Sequence, residues 1–167
     1  NKLELKEGGN TFVWDTRYQG SETIEGMIFW SASFLGAKAV PGKYKVVLEK
    51  NEVSQEEDFV ILPDPRSEVS VSEMKLQFDF VNKVNTTVDE AHKAIKNIRN
   101  IREKLETFKT NYSNNENVSD LIAKANELNT FLTNIEKALY QIKNKSNQDP
   151  LNFPIRLTNK LGHLNSL

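Results

Sequence analysis

Apolar residues recur every three or four positions from Met74 to Tyr112, which is the period of one face of an α-helix. Ser70 followed by Glu73 has the capping-box pattern that satisfies two amide donors where a helix starts. No glycine or proline interrupts Ser70–Tyr112. The pattern therefore predicts one uninterrupted helix about 60 Å long.

A second apolar stripe of the same period follows a short polar turn at residues 113–115. Its members are Val118, Leu121, Ala125, Leu128, Leu132, Ile135, Leu139 and Ile142. A short loop between two such helices makes them antiparallel neighbours, and the seven-residue spacing favours the shallow crossing of a coiled coil. We expect Leu121 to lie near Phe108, and Leu132 near Ile98.

A third, shorter helix is predicted after a polar loop. We expect Asn152 to cap it, and its apolar positions are Ile155, Leu157, Leu161 and Leu164. It ends after about three turns. We therefore expect the helical bundle to be incomplete at its C-terminus.

The first part of the chain has strand and turn signals instead. Alternating and β-branched residues predict strands at Leu3–Leu5, Thr11–Trp14, Met27–Trp30, Tyr44–Glu49 and Asp58–Leu62. The last two bracket a polar turn and predict a hairpin. Two prolines in 63–66 then break the pattern, since each forces its predecessor out of the helical region. We place a domain boundary there, with a β-module at 1–66 and the helices at 67–167.

The charge and residue composition of the chain limit which partners and sites it can have. The formal net charge is -1, which gives no general attraction to nucleic acid. No apolar run approaches the length of a membrane span, so we expect no membrane insertion. Cysteine is absent, which excludes disulfides, thiolate metal sites and cysteine nucleophiles. The chain begins at Asn1 rather than methionine, and we interpret it as a fragment or a processed product.

Two features have the chemistry of a binding surface. Basic residues recur every third position on the first long helix and form a candidate partner surface: Lys93, Lys96, Arg99 and Arg102. The simpler interpretation is a solvated helix face. Trp14 and Trp30 have aromatic faces that suit stacking on sugars, Trp30 more than Trp14, although burial between two sheets is the usual role of such residues.

The remaining polar groups have simpler structural interpretations. Asp15 and Arg17 are expected to form a local structural pair, and Glu22 with Glu25 a solvated loop. The acidic run at 56–58 lacks the glycine turn of a calcium loop. His92 and His163 lack the spacing of metal ligands, and His92 is expected at the flank of the stripe. We therefore predict no catalytic, cofactor or metal site, and no enzymatic activity.

Several segments carry a resemblance to a known family. They are residues 9–18 (GNTFVWDTRY), 39–46 (AVPGKYKV), 64–66 (DPR) and 149–157 (DPLNFPIRL). The chain resembles the C-terminal region of bacterial sortilin-like, Asp-box-repeat β-propeller proteins, which are often described as glycosyl-hydrolase-like. The first two segments are also similar to the immunoglobulin-like module of flagellar hook-capping proteins. The resemblance implies an immunoglobulin-like β-sandwich, an extracytoplasmic location and an accessory role beside a propeller.

These observations together predict an α+β chain. A small immunoglobulin-like β-sandwich would come first, incomplete at its N-terminus because only five strands are found where about seven are usual. A long antiparallel helical hairpin and a truncated third helix would follow. The predicted function is a non-catalytic spacer or protein-docking module, and the alternative is a carbohydrate-binding accessory module. The expected partners are the remainder of the parent chain, another protein, or a second copy paired through an open sheet edge.

Overall fold

The computed structural model describes residues 6–50 and 52–166. Two strands precede three α-helices in the order β1 (Gly42–Lys50), β2 (Val53–Ile61), α1 (Val71–Asn111), α2 (Ser119–Leu139) and α3 (Leu157–Leu164). The predicted α+β layout, with strands before helices, is confirmed. The sheet of the described residues has two strands. Two strands do not make a sandwich, so the immunoglobulin-like arrangement stays a prediction.

The β-hairpin lies where the sequence predicted one. β1 and β2 are antiparallel and paired along their whole length, from Gly42 opposite Ile61 to Lys50 opposite Val53. The chain reverses through Glu52, whose φ of 67° lies in the left-handed region used by tight turns. The predicted hairpin is therefore confirmed, with a shorter turn than expected.

Two other predicted strands are wrong. Residues 11–14 and 27–30 have no regular secondary structure, although the backbone around them is well bonded. Instead of joining a sheet, Ile28 bonds to Tyr140, just after α2, and Trp30 bonds to Asn159 on α3. The predicted strand Leu3–Leu5 lies outside the described residues.

α1 begins and ends where the sequence predicted. The Ser70 amide donates to Glu73 Oε2 at 2.9 Å, and the Glu73 amide donates to Ser70 Oγ at 3.3 Å, so the capping box is complete. The hydrogen bonds from Ser70 hold the pKa of the Glu73 carboxyl below its usual value. The centre of the helix is buried at Val84, Val88, Ala91, Ile95 and Ile98. The predicted apolar stripe therefore forms the centre of the core.

α2 runs antiparallel to α1, but the face it buries differs from the predicted stripe. Its buried residues are Ala125, Leu132 and Glu136. Leu121, Leu128 and Ile135 are 36–52% exposed, so these members of the predicted stripe are not at the buried centre of the seam, and the contact of Leu121 with Phe108 stays a prediction. The helix also ends at Leu139, before Ile142. The inner face is rotated because it includes the polar residues Asn129 and Glu136, which bond to arginines of α1.

α3 starts later than expected and packs on α1 and α2. Arg156 precedes it without a side-chain cap, so the predicted cap at Asn152 is wrong. The chain before it turns at residues 149–151, where Asp149 accepts hydrogen bonds from the amides of Lys145 and Ser146. These amides hold the pKa of the Asp149 carboxyl below its usual value. α3 buries Thr158, Asn159 and Gly162.

An irregular segment, residues 20–36, covers the rest of the helical core. The Ser21 hydroxyl donates to Asn85 O on α1 at 3.0 Å, and the Ser33 amide donates to Gly162 O on α3 at 2.8 Å. Gly162 allows this approach, because a Cβ there would lie 2.8 Å from Phe34. The division into domains 1–66 and 67–167 stays a prediction, and these contacts cross it. We refer to residues 20–36 as the covering segment.

The burial difference within α2 gives a stability prediction. Leu132→Ala should lower the free energy of unfolding by about 2–4 kcal/mol, because it removes buried methyl groups and leaves a cavity. Leu121→Ala is the matched control and should cost less than about 1 kcal/mol, since Leu121 is half exposed. Urea denaturation of both variants measures the difference, and equal losses would contradict the observed helix face.

Candidate functional site

The two faces of the β-hairpin differ in chemistry. Strand residues alternate between faces, and paired residues share a face. One face is mainly polar and charged, with Lys43, Lys45, Glu56 and Asp58 among its members. The other, which we call the apolar hairpin face, contains Tyr44, Val46, Leu48, Val53, Phe59 and Ile61, together with the polar residues Lys50, Gln55 and Glu57. This alternation is typical of a sheet that has one side covered by protein.

Trp14 covers the base of the apolar hairpin face. Its ring centroid lies 6.0 Å from that of Tyr44 and 6.3 Å from that of Phe59. The indole N–H donates to Arg17 O at 2.8 Å, and the Tyr44 hydroxyl donates to Val40 O at 2.6 Å. Burial raises the pKa of the Tyr44 hydroxyl. Trp14 therefore packs on the sheet as a core residue does, and its ring is not displayed for a sugar.

The outer half of the apolar hairpin face is bare. Val46, Leu48 and Val53 are 52%, 55% and 65% exposed. A shallow depression of about 420 Å³ lies against Val46, Leu48 and residues 55–57. Within the described residues, neither strand contacts a helix. The hairpin thus presents exposed apolar side chains, with Gln55 and Glu57 between them, that nothing in the described chain covers.

Trp30 is exposed, and two hydrogen bonds hold its backbone to α3. Its amide donates to Asn159 Oδ1 at 2.7 Å, and Asn159 Nδ2 donates back to Trp30 O at 2.8 Å. The side chain is 44% exposed, which differs from the usual burial of a tryptophan. Ser31 follows with a φ of 45°, and its carbonyl lies 3.0 Å from His163 Nδ1. This arrangement presents one aromatic ring beside polar groups.

The four basic residues predicted as a partner surface do not form one uniform surface. Arg99 Nε and Arg102 Nη1 each donate to the carboxylate of Glu136 at 2.8 Å, and Glu136 is only 2% exposed. These two arginines are only partly solvated, because each also pairs with a buried carboxylate. Lys96 makes an exposed ion pair with Glu22 at 3.1 Å. Lys93 is exposed and has no ion pair among the described residues.

His92 is buried in the core rather than at the flank of the stripe. Its ring is 1% exposed, and Nδ1 lies 2.6 Å from Glu22 O on the covering segment. The rings of Phe29 and Phe34 lie within 6 Å of it, centroid to centroid. The sequence carried a signal for this position, because His92 lies four residues after Val88 and three before Ile95. Its burial makes it a structural link between α1 and the covering segment.

The other candidate groups make ordinary structural contacts or stay exposed. The Arg17 amide donates to Asp15 Oδ1 at 2.9 Å, as expected for a local structural pair. Glu22 pairs with Lys96, and Glu25 stays exposed. In residues 6–50 and 52–166, no three His, Asp or Glu side chains lie close enough together to hold a metal ion. The described part of the chain also has no helix long and apolar enough to cross a membrane.

Comparison with known proteins gives no match. No known family, no curated protein and no solved structure matches this chain significantly. The resemblance to the C-terminal regions of sortilin-like propeller proteins therefore stays a prediction.

The buried carboxylate gives a second stability prediction. Arg102→Ala should lower the free energy of unfolding by about 1–3 kcal/mol, because Glu136 loses one of two charged donors in a buried position. Lys93→Ala, on the same helix, should change it by less than about 0.5 kcal/mol. Urea denaturation of the two variants tests this. A loss at Lys93 as large as that at Arg102 would refute the assignment of the ion pairs.

Proposed function

We propose that this chain is a non-catalytic accessory module that serves as a structural spacer and docks other protein segments. The observation that carries the proposal is the bare outer half of the apolar hairpin face, on a hairpin whose strands pack against no helix of the described chain. Exposed apolar patches on a folded protein usually mark surfaces of protein interaction. A sheet with this alternation is suited to receive a second layer of protein.

The aromatic cluster at the base supports docking of a protein layer. Trp14, Tyr44 and Phe59 already form the start of a core above the sheet. Further strands from the parent chain, placed over Val46 and Leu48, would extend this core. An immunoglobulin-like sandwich would result, with sheets packed about 10 Å apart. We propose that such strands belong to the same parent protein.

The helical part suits a spacer. α1 alone has 41 residues and therefore spans about 60 Å. α2, α3 and the covering segment pack along it, so that it is a supported rod rather than an isolated helix. Such a rod holds attached parts of a protein at a defined separation.

The resemblance to propeller proteins supplies the proposed setting. It implies that the parent is a large secreted or cell-surface bacterial protein, and that this chain stands at its C-terminal end. Any glycosidase or peptide-binding chemistry would then belong to the propeller. We propose the extracytoplasmic location on this ground alone.

Site-specific cross-linking in cells tests the docking function. A photoreactive amino acid at position 48, on the apolar hairpin face, should cross-link to one defined polypeptide segment that mass spectrometry can map. The same group at position 90, an exposed site on α1, should give no such product. The same cross-linked products at both positions, or none at position 48, would count against a docking role for the hairpin.

A carbohydrate-binding accessory role is the second candidate, and the exposed ring of Trp30 favours it. Aromatic faces stack on sugar rings, and the two hydrogen bonds to Asn159 hold this residue in place. Trp14 is packed against Tyr44 and Phe59, so the two tryptophans do not form a joint platform.

Glycan-array binding and calorimetry test this second candidate. If the chain binds a glycan, Trp30→Ala should abolish binding while leaving the melting temperature nearly unchanged, since the ring is exposed. Leu35→Ala, another exposed apolar position in the covering segment, should leave glycan binding intact. Binding that survives Trp30→Ala would exclude Trp30 as the stacking residue.

A further inference from the structure

We propose that the free edge of β2 binds an extended segment of a partner polypeptide as a third strand. We further propose that this segment carries apolar residues toward the apolar hairpin face and lysine or arginine on its other side. The inference rests on the proposed docking function and specifies the chemistry of what docks.

The backbone of β2 is available for strand addition. Among the described residues, its hydrogen bonds go to β1 alone, and no loop or helix bonds to the outer edge. All of β2 is exposed except Ile61, which is partly covered. An edge of this kind presents a row of amide and carbonyl groups that an extended peptide can pair with.

The charge of β2 selects a basic strand. On the polar face, β2 contributes Glu56 and Asp58 and no basic residue, whereas β1 contributes Lys43 and Lys45, with Glu49 near its far end. Lys45 lies opposite Asp58 and pairs with Glu56. A strand added to the other edge of β2 would lie at the same spacing of about 4.8 Å from these acids. Opposite charges across strands stabilise the pairing, and like charges oppose it.

β1 thus shows which kind of strand β2 accepts. Its lysines 43 and 45 lie on the polar face beside the acids, and Tyr44, Val46 and Leu48 lie on the apolar hairpin face. A third strand with the same alternation would extend both faces at once. It would also widen a two-stranded sheet, which by itself has little stability in water.

A second copy of this chain is a poorer occupant of the edge. Pairing β2 with the β2 of another copy would bring two acidic strands together. Pairing β2 with the β1 of another copy has the right charges but leaves that copy with its own open β2 edge. Such contacts repeat without closing and lead to filaments. A strand from a different segment closes the edge without this consequence.

A peptide with the sequence of Gly42–Lys50 is a suitable probe, because it has the proposed alternation and charge. Added to the whole chain, it should bind saturably, weaken as salt is raised, and shift the NMR amide signals of residues 53–61. A peptide with glutamate in place of its three lysines is the matched control and should bind about tenfold more weakly. Equal binding of both peptides would refute the charge selection.

Two backbone-methylated peptides test strand pairing itself. One is N-methylated at the residues matching 44, 46 and 48, and the other at those matching 45 and 47. Only one of these sets points its amides at β2, so one peptide should lose binding and the other keep it. If both methylated peptides still bind, the peptide binds through its side chains alone, and strand addition is overturned.

Sedimentation of the chain without peptide tests the alternative occupant. If the chain sediments as a monomer, the result supports a strand from a partner. If its sedimentation coefficient rises with concentration and the peptide prevents the rise, the edge binds a second copy instead. Cross-linking at position 48 without peptide binding would leave the docking function standing and show that the proposed strand chemistry is wrong.

Discussion

The structure depends on one constraint: α1 has a long apolar stripe, and no single neighbouring element is long enough to cover it. α1 has 41 residues, whereas α2 has 21 and α3 has eight. Neither shorter helix can bury the whole stripe, and water in contact with Val88 or Ile95 would cost roughly 1.5–3 kcal/mol for each side chain. The covering segment closes the remaining gap. An irregular stretch of chain therefore becomes part of the core, where a sheet was predicted.

Irregular backbone can be buried only if its polar groups find partners, and polar residues on the helices supply them. Asn159 pairs with both backbone groups of Trp30, Asn85 Nδ2 donates to Leu35 O at 3.1 Å, and His92 bonds to Glu22 O. The Tyr140 hydroxyl accepts from the Ile28 amide at 2.8 Å. These bonds have fixed positions along the helices, so they set where each part of the covering segment lies, which apolar contacts alone would not do.

Because the covering segment packs on the helices, the hairpin has no helix packed against it in the described chain. The covering segment is committed to the helices, so it cannot supply strands beside β1 and β2. Trp14 and Tyr18, both ahead of the covering segment, reach the base of the sheet at Tyr44. The helices thus share a buried centre around Val84–Ile98, while the outer half of the apolar hairpin face stays bare. We regard this contrast as the main reason to interpret the chain as a module that docks protein, since the hairpin has the alternation of a covered sheet without the cover.

The sequence by itself determined the elements whose signals are local. The capping box at Ser70, the uninterrupted stripe of α1 and the alternation of β1 and β2 depend on residues within a few positions of one another, and all three were predictable. The burial of Glu136 was decided by tertiary structure, because it depends on Arg99 and Arg102, more than 30 residues away in the chain. The covering segment was decided in the same way. Residues 27–30 have the composition of a strand, but a strand needs a partner edge. Hydrogen bonds to Asn159 on α3 and to Tyr140, just after α2, take the place of that edge.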